Sequence, residues 1–553
     1  MLLPMIWLVP LLLAIVTRPA CARWLLPLAA VPALLAVAVL PVGTSLSLPW
    51  LLLGSELGID ATSRVFLGFS SLLWLIAALY IAGSPQPATE SRRFRVFFLL
   101  AMAGNLGLIV AQDMISFYLG FVLMGLSAYG LIARASSVRA GYAARTYLVW
   151  TIAGELVLFT ALVSLASGAG GALTFEALQT VPRSAPTVVL LIAGFGIKLA
   201  LPLLHWWLPP VYAVTPVAAV ALFSGVMIKA GLLGWLRFLP SGDATPAGWG
   251  VLLILIGAIT IAFGFVAGLV QTRPRLLLGY SSISKMGILT TGLGAALAVP
   301  AAATGIVAAL LVYATHHALA KTALLLGLGL VERGGLRLSL LIGLAFLAAV
   351  LAGAPLTSGA LAKSALGDAL PQTATTLVTL LSASTLATTL LMARLMFLVW
   401  TRRRQTHERL PGTPVAAWLS LVAVILALPL LLDGFDQSMS NTIPIAAGLL
   451  LGPLVVLTGN RVATRLSGAG KRARLRSWSS PLSTALRRAR VKTRLISEWR
   501  NTAWDRSVAA ARRASGEWLA RVQQHGEPVR VRLTGALWLG IAGGLLGAFA
   551  AAT

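Results

Sequence analysis

The chain has 553 residues, 58% of them hydrophobic and 11% charged, with a mean hydropathy of +0.89. These values exclude a soluble globular domain and place most of the chain in hydrocarbon. The formal net charge is +27, but it is too unevenly distributed to indicate nucleic acid binding: 18 of the 43 lysines and arginines fall between Arg461 and Arg532, against four acids there.

In chain order, apolar runs predict spans near 1–17, 24–41, 65–83, 96–111, 114–133, 147–168, 187–208, 211–238, 249–270, 276–297, 303–330, 338–365, 374–400, 415–433, 442–459 and 534–551. Runs of about 17 to 25 residues suit helices crossing a core about 30 Å thick, and they lack the alternation of barrel strands. The expected class is an all-α polytopic membrane protein with about sixteen transmembrane helices. The first run reads as a span rather than a secretory signal, because no basic residue precedes it. Pro202 and Pro355 lie inside two spans, with Gly359 near the second. A proline there removes a backbone bond, so both spans are expected to be broken helices, the arrangement found where inverted repeats line a transport path.

Arginine collects in the loops after odd-numbered spans, at Arg92, Arg93, Arg95, Arg273, Arg275 and Arg402–Arg404 among others. Even-numbered loops carry Glu56, Asp60, Asp243, Asp368 and Asp436. Basic loops stay cytoplasmic, so both termini are expected outside a bacterial or archaeal inner membrane. Residues 460–533 then form a cytoplasmic basic segment in which Leu486, Val491, Leu495, Trp499 and Trp504 recur at roughly helical intervals among arginines. This predicts an amphipathic lateral helix that meets anionic headgroups or neighbouring subunits. The expected divisions are 1–94, N-terminal helices; 95–400, the core; 401–459, further helices; 460–533, the lateral segment; and 534–553, a terminal helix.

Only seven lysines occur, and five lie within predicted spans: Lys198, Lys229, Lys285, Lys321 and Lys363. A charge near the middle of a spanning helix costs about 2.5 to 3.5 kcal/mol on insertion scales, so such residues face the bundle interior and mark ion or proton paths. Lys285 lies early in its span and has a second reading, snorkelling to the interface. Arg394 has a similar one, as an anchor near a helix end. His205 sits beside the first break, and His316 and His317 precede Lys321, with His317 four residues from it on one helix face. Histidine titrates near neutrality and can relay protons, although a packing role is the alternative. Of the acids, Asp113 and Glu155 look buried; Glu155 is mid-span and the better partner for a lysine, while Asp113 could equally cap the fifth helix. Cys21 is the one cysteine, which rules out a disulfide framework within the chain and a cysteine-held cluster. The histidines lack a third ligand at usable spacing for zinc, and no cofactor motif is present, so no cofactor and no metal are expected.

Several stretches together resemble the antiporter-like membrane subunits of respiratory complex I, of Mrp cation/proton antiporters, and of energy-converting hydrogenases and formate hydrogenlyase. "GFGIKLALPLLHWWLPPVYAVTPVAAVALFSGVMIKAG" resembles the family's seventh and eighth helices, with lysines at Lys198 and Lys229. "LLLGYSSISKMG" resembles its Tyr-Ser-Ser-Ile-Ser element, "HHALAKTALLLGLG" its His-Ala-x-x-Lys helix, and "PLTSGALAKSAL" its second broken helix, ending in Lys363. The likeness covers about residues 95 to 400. It implies a non-catalytic, proton-translocating or sodium-coupled subunit of a multisubunit complex, in which protons pass along a Lys/His/Glu axis. Its partners would be other membrane subunits, and nucleic acid would not be among them. Three departures stand out: Val122 occupies the place of the usual fifth-helix Glu in "SFYLGFVLMG", Pro210 replaces an acid after Trp-Leu-Pro, and the lateral segment is unusually rich in arginine. Loss of that Glu leaves a second reading open, a structural subunit with an inactive channel whose lateral helix clamps its neighbours.

Overall fold

The computed structural model describes residues 2–16, 20–83, 89–132, 138–179, 181–239, 247–371, 373–401, 409–431 and 442–456. The lateral segment and the last predicted span lie outside the described residues. Helix α1 (Leu2–Val16) is followed by two short 3-10 turns and α2 (Val31–Val39), then by strands β1 (Thr44–Leu48) and β2 (Ser55–Ile59). Next come α3 (Ala61–Gly83), α4 (Arg92–Val110), α5 (Met114–Ile132), α6 (Val138–Gly168) and the short α7 (Phe175–Gln179). The middle of the chain holds α8 (Ala185–Lys198), α9 (Leu208–Val214), α10 (Val217–Gly225), α11 (Ala230–Phe238), α12 (Ala247–Leu269) and α13 (Pro274–Ala298). It continues through α14 (Ala303–Gly334), α15 (Leu338–Ala352), α16 (Ser358–Asp368), α17 (Thr375–Thr401) and α18 (Gly412–Leu431). Helix α19 (Thr442–Val456) is the last described element.

Among the described residues, nine helices are long and apolar enough to cross a membrane, with Val217–Phe238 counted as one. The chain is a multi-pass membrane protein. Helix α13 is not among the nine, and its sequence gives the reason: it carries Tyr280, Ser281, Ser282, Ser284 and Lys285 within two turns. Those side chains other than Tyr280 are buried, so the polarity faces protein rather than lipid. Helices α12 and α13 approach backbone to backbone, because a Cβ on Gly287 would come within 2.6 Å of the Gly257 carbonyl oxygen. Small residues let membrane helices pack this closely.

The all-α expectation is corrected at one place. β1 and β2 pair antiparallel, Thr44 opposite Ile59 and Leu48 opposite Ser55. The hairpin is pinned to the α4–α5 connection through a bridge between Leu57 and Ala111 and a bond from Gln112 N to the Glu56 carbonyl. The second predicted span also begins as 3-10 turns rather than as a regular helix.

Both expected helix breaks are present, and they share a backbone signature. Helix α8 ends at Lys198, after which Ala200 (φ 55°) and Leu203 (φ 69°) flank Leu201–Pro202 in left-handed conformations. Helix α15 ends on Gly353 (φ 89°), and Leu356 (φ 61°) follows Ala354–Pro355. Left-handed backbone at a residue with a Cβ costs about 1–3 kcal/mol, so the surrounding packing holds these turns. A third interruption was not expected from sequence: the predicted span 211–238 divides at Pro216 and again at a 3-10 turn, Met227–Lys229.

At the hairpin end of the bundle, Asp60 accepts a hydrogen bond from Ser63 N (2.7 Å) at the start of α3 and pairs with Arg237 of α11. Burial alone would raise the Asp60 pKa, but the Arg237 hydrogen bond and charge, with the Ser63 bonds, outweigh it and hold the carboxyl below its ordinary 3.8. A depressed carboxyl pKa stabilises the fold above that range, and the contribution fades as pH falls through it. Asp60→Asn is expected to cost about 1 kcal/mol at pH 7, as suits a pair with one partly exposed end. Thermal unfolding of the purified chain in detergent should show this gap closing below about pH 4.

Candidate functional site: a row of buried lysines

All five lysines within spans are buried, as are His205, His316, His317, Asp113 and Glu155. Lys198 is the last residue of α8, and its Nζ donates to the Tyr147 hydroxyl at 3.4 Å. It stands over the rings of Phe121 (5.1 Å) and Tyr147 (5.7 Å). The Tyr147 hydroxyl in turn donates to the Gly125 carbonyl at 3.0 Å. Trp207 Nε1 donates to the Ile197 carbonyl at 2.7 Å, which ties the far side of the break back to the end of α8.

Glu155 of α6 lies beside this lysine. A Cβ placed on Gly125 would overlap Glu155 Oε1 and stand 3.5 Å from Lys198 Nζ, so carboxylate and ammonium flank one glycine-sized space. The two residues also line one cavity with Phe121, Tyr147, Thr151, Gly154, Gly194, Ile197 and Trp207. They form no ion pair: those among the described residues, Arg23–Glu90, Arg237–Asp60 and Arg275–Glu332, involve neither. Glu155 Oε1 is buried without a hydrogen-bond partner among the described residues. Val122, where the family resemblance expects a carboxylate, is half-buried.

His205 lies in the break between α8 and α9, packed against Trp206 (5.3 Å between ring centres) and Phe263 (4.6 Å), with Nδ1 lacking a partner. Farther along, a cluster of oxygens lies between two lysines, each of which bonds a main-chain carbonyl. Lys229 Nζ donates to the Ser224 carbonyl at 2.8 Å, in the last turn of α10. The Ser224 hydroxyl meets that of Ser282 at 3.2 Å, and Ser282 also bonds the Tyr212 hydroxyl (3.1 Å) and the Leu278 carbonyl (3.0 Å). Lys321 Nζ donates to that same Leu278 carbonyl at 3.0 Å. His317, one turn before Lys321, has both ring nitrogens buried without partners among the described residues.

Lys363 donates to the Ala352 carbonyl, the last residue of α15, across the second break. His316 Nδ1 and the Ser358 hydroxyl, 3.0 Å apart, join α14 to α16. Lys285 does not reach toward an interface; it is 1% exposed and donates to the Thr388 hydroxyl of α17. Arg394 is buried too, bonding the Val456 and Gln271 carbonyls and so holding α17 to its neighbours. Asp113 accepts from Ser116 N (2.8 Å) and from Glu56 N (2.9 Å), capping α5 and fixing the hairpin.

Sequence reasoning missed Tyr147, Gly125, Ser224, Ser282 and Thr388. Tyr147 carries a faint signal, two turns ahead of Glu155 on the same helix face. The others become visible only when separate helices meet.

Comparison with known proteins identifies the family. Residues 111–388, which hold all five lysines and Glu155, match the model of the family described as NADH:quinone oxidoreductase/Mrp antiporter, TM. The chain is 30% identical over 232 residues to an NAD(P)H-quinone oxidoreductase chain 4 of Microcystis aeruginosa, covering 40% of this chain and 41% of that one. It is 29% identical over 390 residues to NADH-quinone oxidoreductase subunit N of Deinococcus radiodurans, covering 66% and 78%. The match spans less than half the length of the chain 4 relatives. Among solved structures, a chain of the Mrp complex from Dietzia sp. matches with TM-score 0.67 and 22% identity over 99% of this chain and 62% of its own length. A chain of respiratory complex I from Thermus thermophilus matches with TM-score 0.67 and 22% identity over 82% and 100%. At that identity the likeness establishes the fold.

Thr388→Val removes the hydroxyl that holds Lys285. It is expected to destabilise the purified chain by about 1 kcal/mol, the usual size of a polar contact between membrane helices. Thr379→Val, at an exposed threonine bonded within its own helix, is the control and should leave thermal unfolding nearly unchanged.

Proposed function

The chain belongs to the NADH:quinone oxidoreductase/Mrp antiporter transmembrane family, and on that premise we propose that it is a proton-translocating subunit of a multisubunit membrane complex. The observation that carries this reading is the placement of Glu155 and Lys198 on one buried cavity beside a helix break. A carboxyl and an amine so placed can exchange a proton without exposing either to lipid, and burial makes each group's charge depend strongly on the other.

In this reading, protons are taken up from the cytoplasmic side at Glu155 and Lys198, with His205 beside the same break. They pass to Lys229 and on to Lys321, with the Ser224 and Ser282 hydroxyls lying between the two and His317 one turn from Lys321. Release follows at Lys363, across the second break, and Lys285 on Thr388 forms a side branch of the same row. Asp113 bonds only backbone donors in the described contacts, so it holds the scaffold rather than the proton. Sodium coupling is a variant of the same path.

The membrane subunits of complex I-like, hydrogenase-like or Mrp-like assemblies are the proposed partners, met through apolar faces such as that of α6, where Val149, Leu156 and Phe159 are more than half exposed. Both termini outside, with the arginine-rich residues 460–533 in the cytoplasm against anionic lipid or an acidic neighbour, complete the proposal.

The test is proton uptake by vesicles carrying the assembled complex with Lys198→Ala, Glu155→Gln or Lys363→Ala. Each substitution is expected to lower uptake about a hundredfold, the low side of what a positioned proton carrier contributes, with the complex intact. Unchanged uptake in all three would leave the chain a structural subunit with an inactive channel.

A further inference from the structure

A group of buried phenylalanines stands between the Lys198 cavity and the hairpin end of the bundle. Phe117, Phe121 and Gly125 follow one another at one-turn intervals on α5, so the two rings lead from the start of that helix to the cavity that Phe121 lines. Phe195 of α8 meets both, at 6.1 Å and 5.6 Å between ring centres. Phe238, the last residue of α11, packs on Phe117 (5.2 Å) and Phe195 (5.8 Å), and Phe175 of α7 closes the group against Phe238 at 5.3 Å. None of the five is more than 4% exposed. A cation stands at each end. Lys198 Nζ lies over the Phe121 ring, and the Arg237 guanidinium lies over the Phe175 ring at 5.1 Å, held there by Asp60 and by the Ser63 hydroxyl at 2.8 Å.

These separations are those of packed aromatic pairs. The fit is close enough that α11 yields space for it at Gly234, where a Cβ would stand 2.2 Å from the Phe195 ring. Phenylalanine carries no hydrogen-bond donor or acceptor, so water entering the group would give up its hydrogen bonds, and apolar constrictions in channels close by staying dry. Protons cross membrane proteins along polar side chains and water, and adjoining phenyl rings supply no such step.

We propose that the five rings form a dry seal between Lys198 and the outer face, so that this lysine exchanges protons with the cytoplasmic side and with Lys229 but not with the outside. The inference rests on the transport reading above for the direction of uptake; the aromatic column itself follows from the geometry. The Arg237–Asp60 pair closes its outer end. Phe117 is the hub, since its ring meets those of Phe121, Phe175, Phe195 and Phe238. Polarity is therefore what this position cannot accept. Phe117→Ser puts a hydroxyl and open space at the centre of the group, where water can enter, while Phe117→Leu keeps the centre apolar.

The experiment uses vesicles carrying the assembled complex with the full chain, held without turnover under an imposed pH gradient that is acid on the hairpin side. A pH-sensitive dye follows its decay. Wild type and Phe117→Leu are expected to hold the gradient, and Phe117→Ser to lose it several times faster. Adding Lys198→Ala to the serine variant should restore tightness, because the leak passes through that lysine. A serine variant as tight as wild type overturns the proposal, as does a leak that is the same with and without Lys198 or the same in the leucine variant. Should the serine variant not assemble, a wild-type cryo-EM map that resolves buried waters elsewhere decides: ordered water between the rings of Phe121 and Phe238 overturns the seal, and a dry column supports it. Failure of the transport reading is seen separately, as unchanged driven uptake in Lys198→Ala, Glu155→Gln and Lys363→Ala.

Discussion

An ammonium group buried in a membrane bundle must be given oxygen, and this constraint organises the rest of the structure. The chain has few carboxylates to spare: of its acids, Asp113 and Glu155 are buried among the described residues, and Asp113 is occupied by backbone donors. The lysines are served instead by main-chain carbonyls and hydroxyls. Ser224 lies in the last turn of α10, and Ala352 is the last residue of α15. Carbonyls at helix C-termini have no intrahelical donor and carry the negative end of the helix dipole, so they favour a cation without adding a formal charge. Interrupting a helix is thus a means of producing an acceptor at membrane depth, where irregular backbone is tolerated only inside protein.

This changes how the interruptions are understood. Their strain, left-handed backbone at Ala200, Leu203 and Leu356, places the end of a helix beside a lysine. Lys363 answers the break before it, Lys229 answers the turn it helps to form, and Lys198 closes the helix it terminates. An acceptor that is a dipole and not an ion also leaves the lysine free to lose its proton, because the neutral amine abandons no buried anion. A full ion pair at each position would hold every proton more firmly. Lys198 has Glu155 on its cavity but in no ion pair with it among the described residues, which preserves the same freedom.

The sequence shows where the charges are and where two helices break, because both are local properties: lysine is rare in an apolar run, and proline removes a specific hydrogen bond. It does not show what each lysine touches. Thr388 lies 103 positions from Lys285, and Leu278 lies 43 from Lys321, separations at which pattern gives no guidance. The 3-10 turn at Met227–Lys229 has no proline within it. The hairpin is hidden for a related reason: it lies in the connection between the predicted spans 24–41 and 65–83, and strands of five residues leave too short a pattern to read. Asp113, by contrast, was legible as a cap, since an acid just before an apolar helix is the local signature of one. Its tie to Glu56 was not.

The departure at Val122 shows what the site requires. The acidic oxygen on the cavity beside Lys198 comes from α6 and not from α5. Helices α5 and α6 both pass the cavity, α5 contributing Phe121 and α6 contributing Tyr147, Thr151, Gly154 and Glu155. An acid on α6 reaches the lysine only if α5 yields space, and Gly125, one turn beyond Val122, is where it does: a side chain there would occupy the position of the carboxylate. Val122 brings no carboxylate from α5, and Gly125 leaves open the space beside Lys198 that the Glu155 carboxylate of α6 occupies.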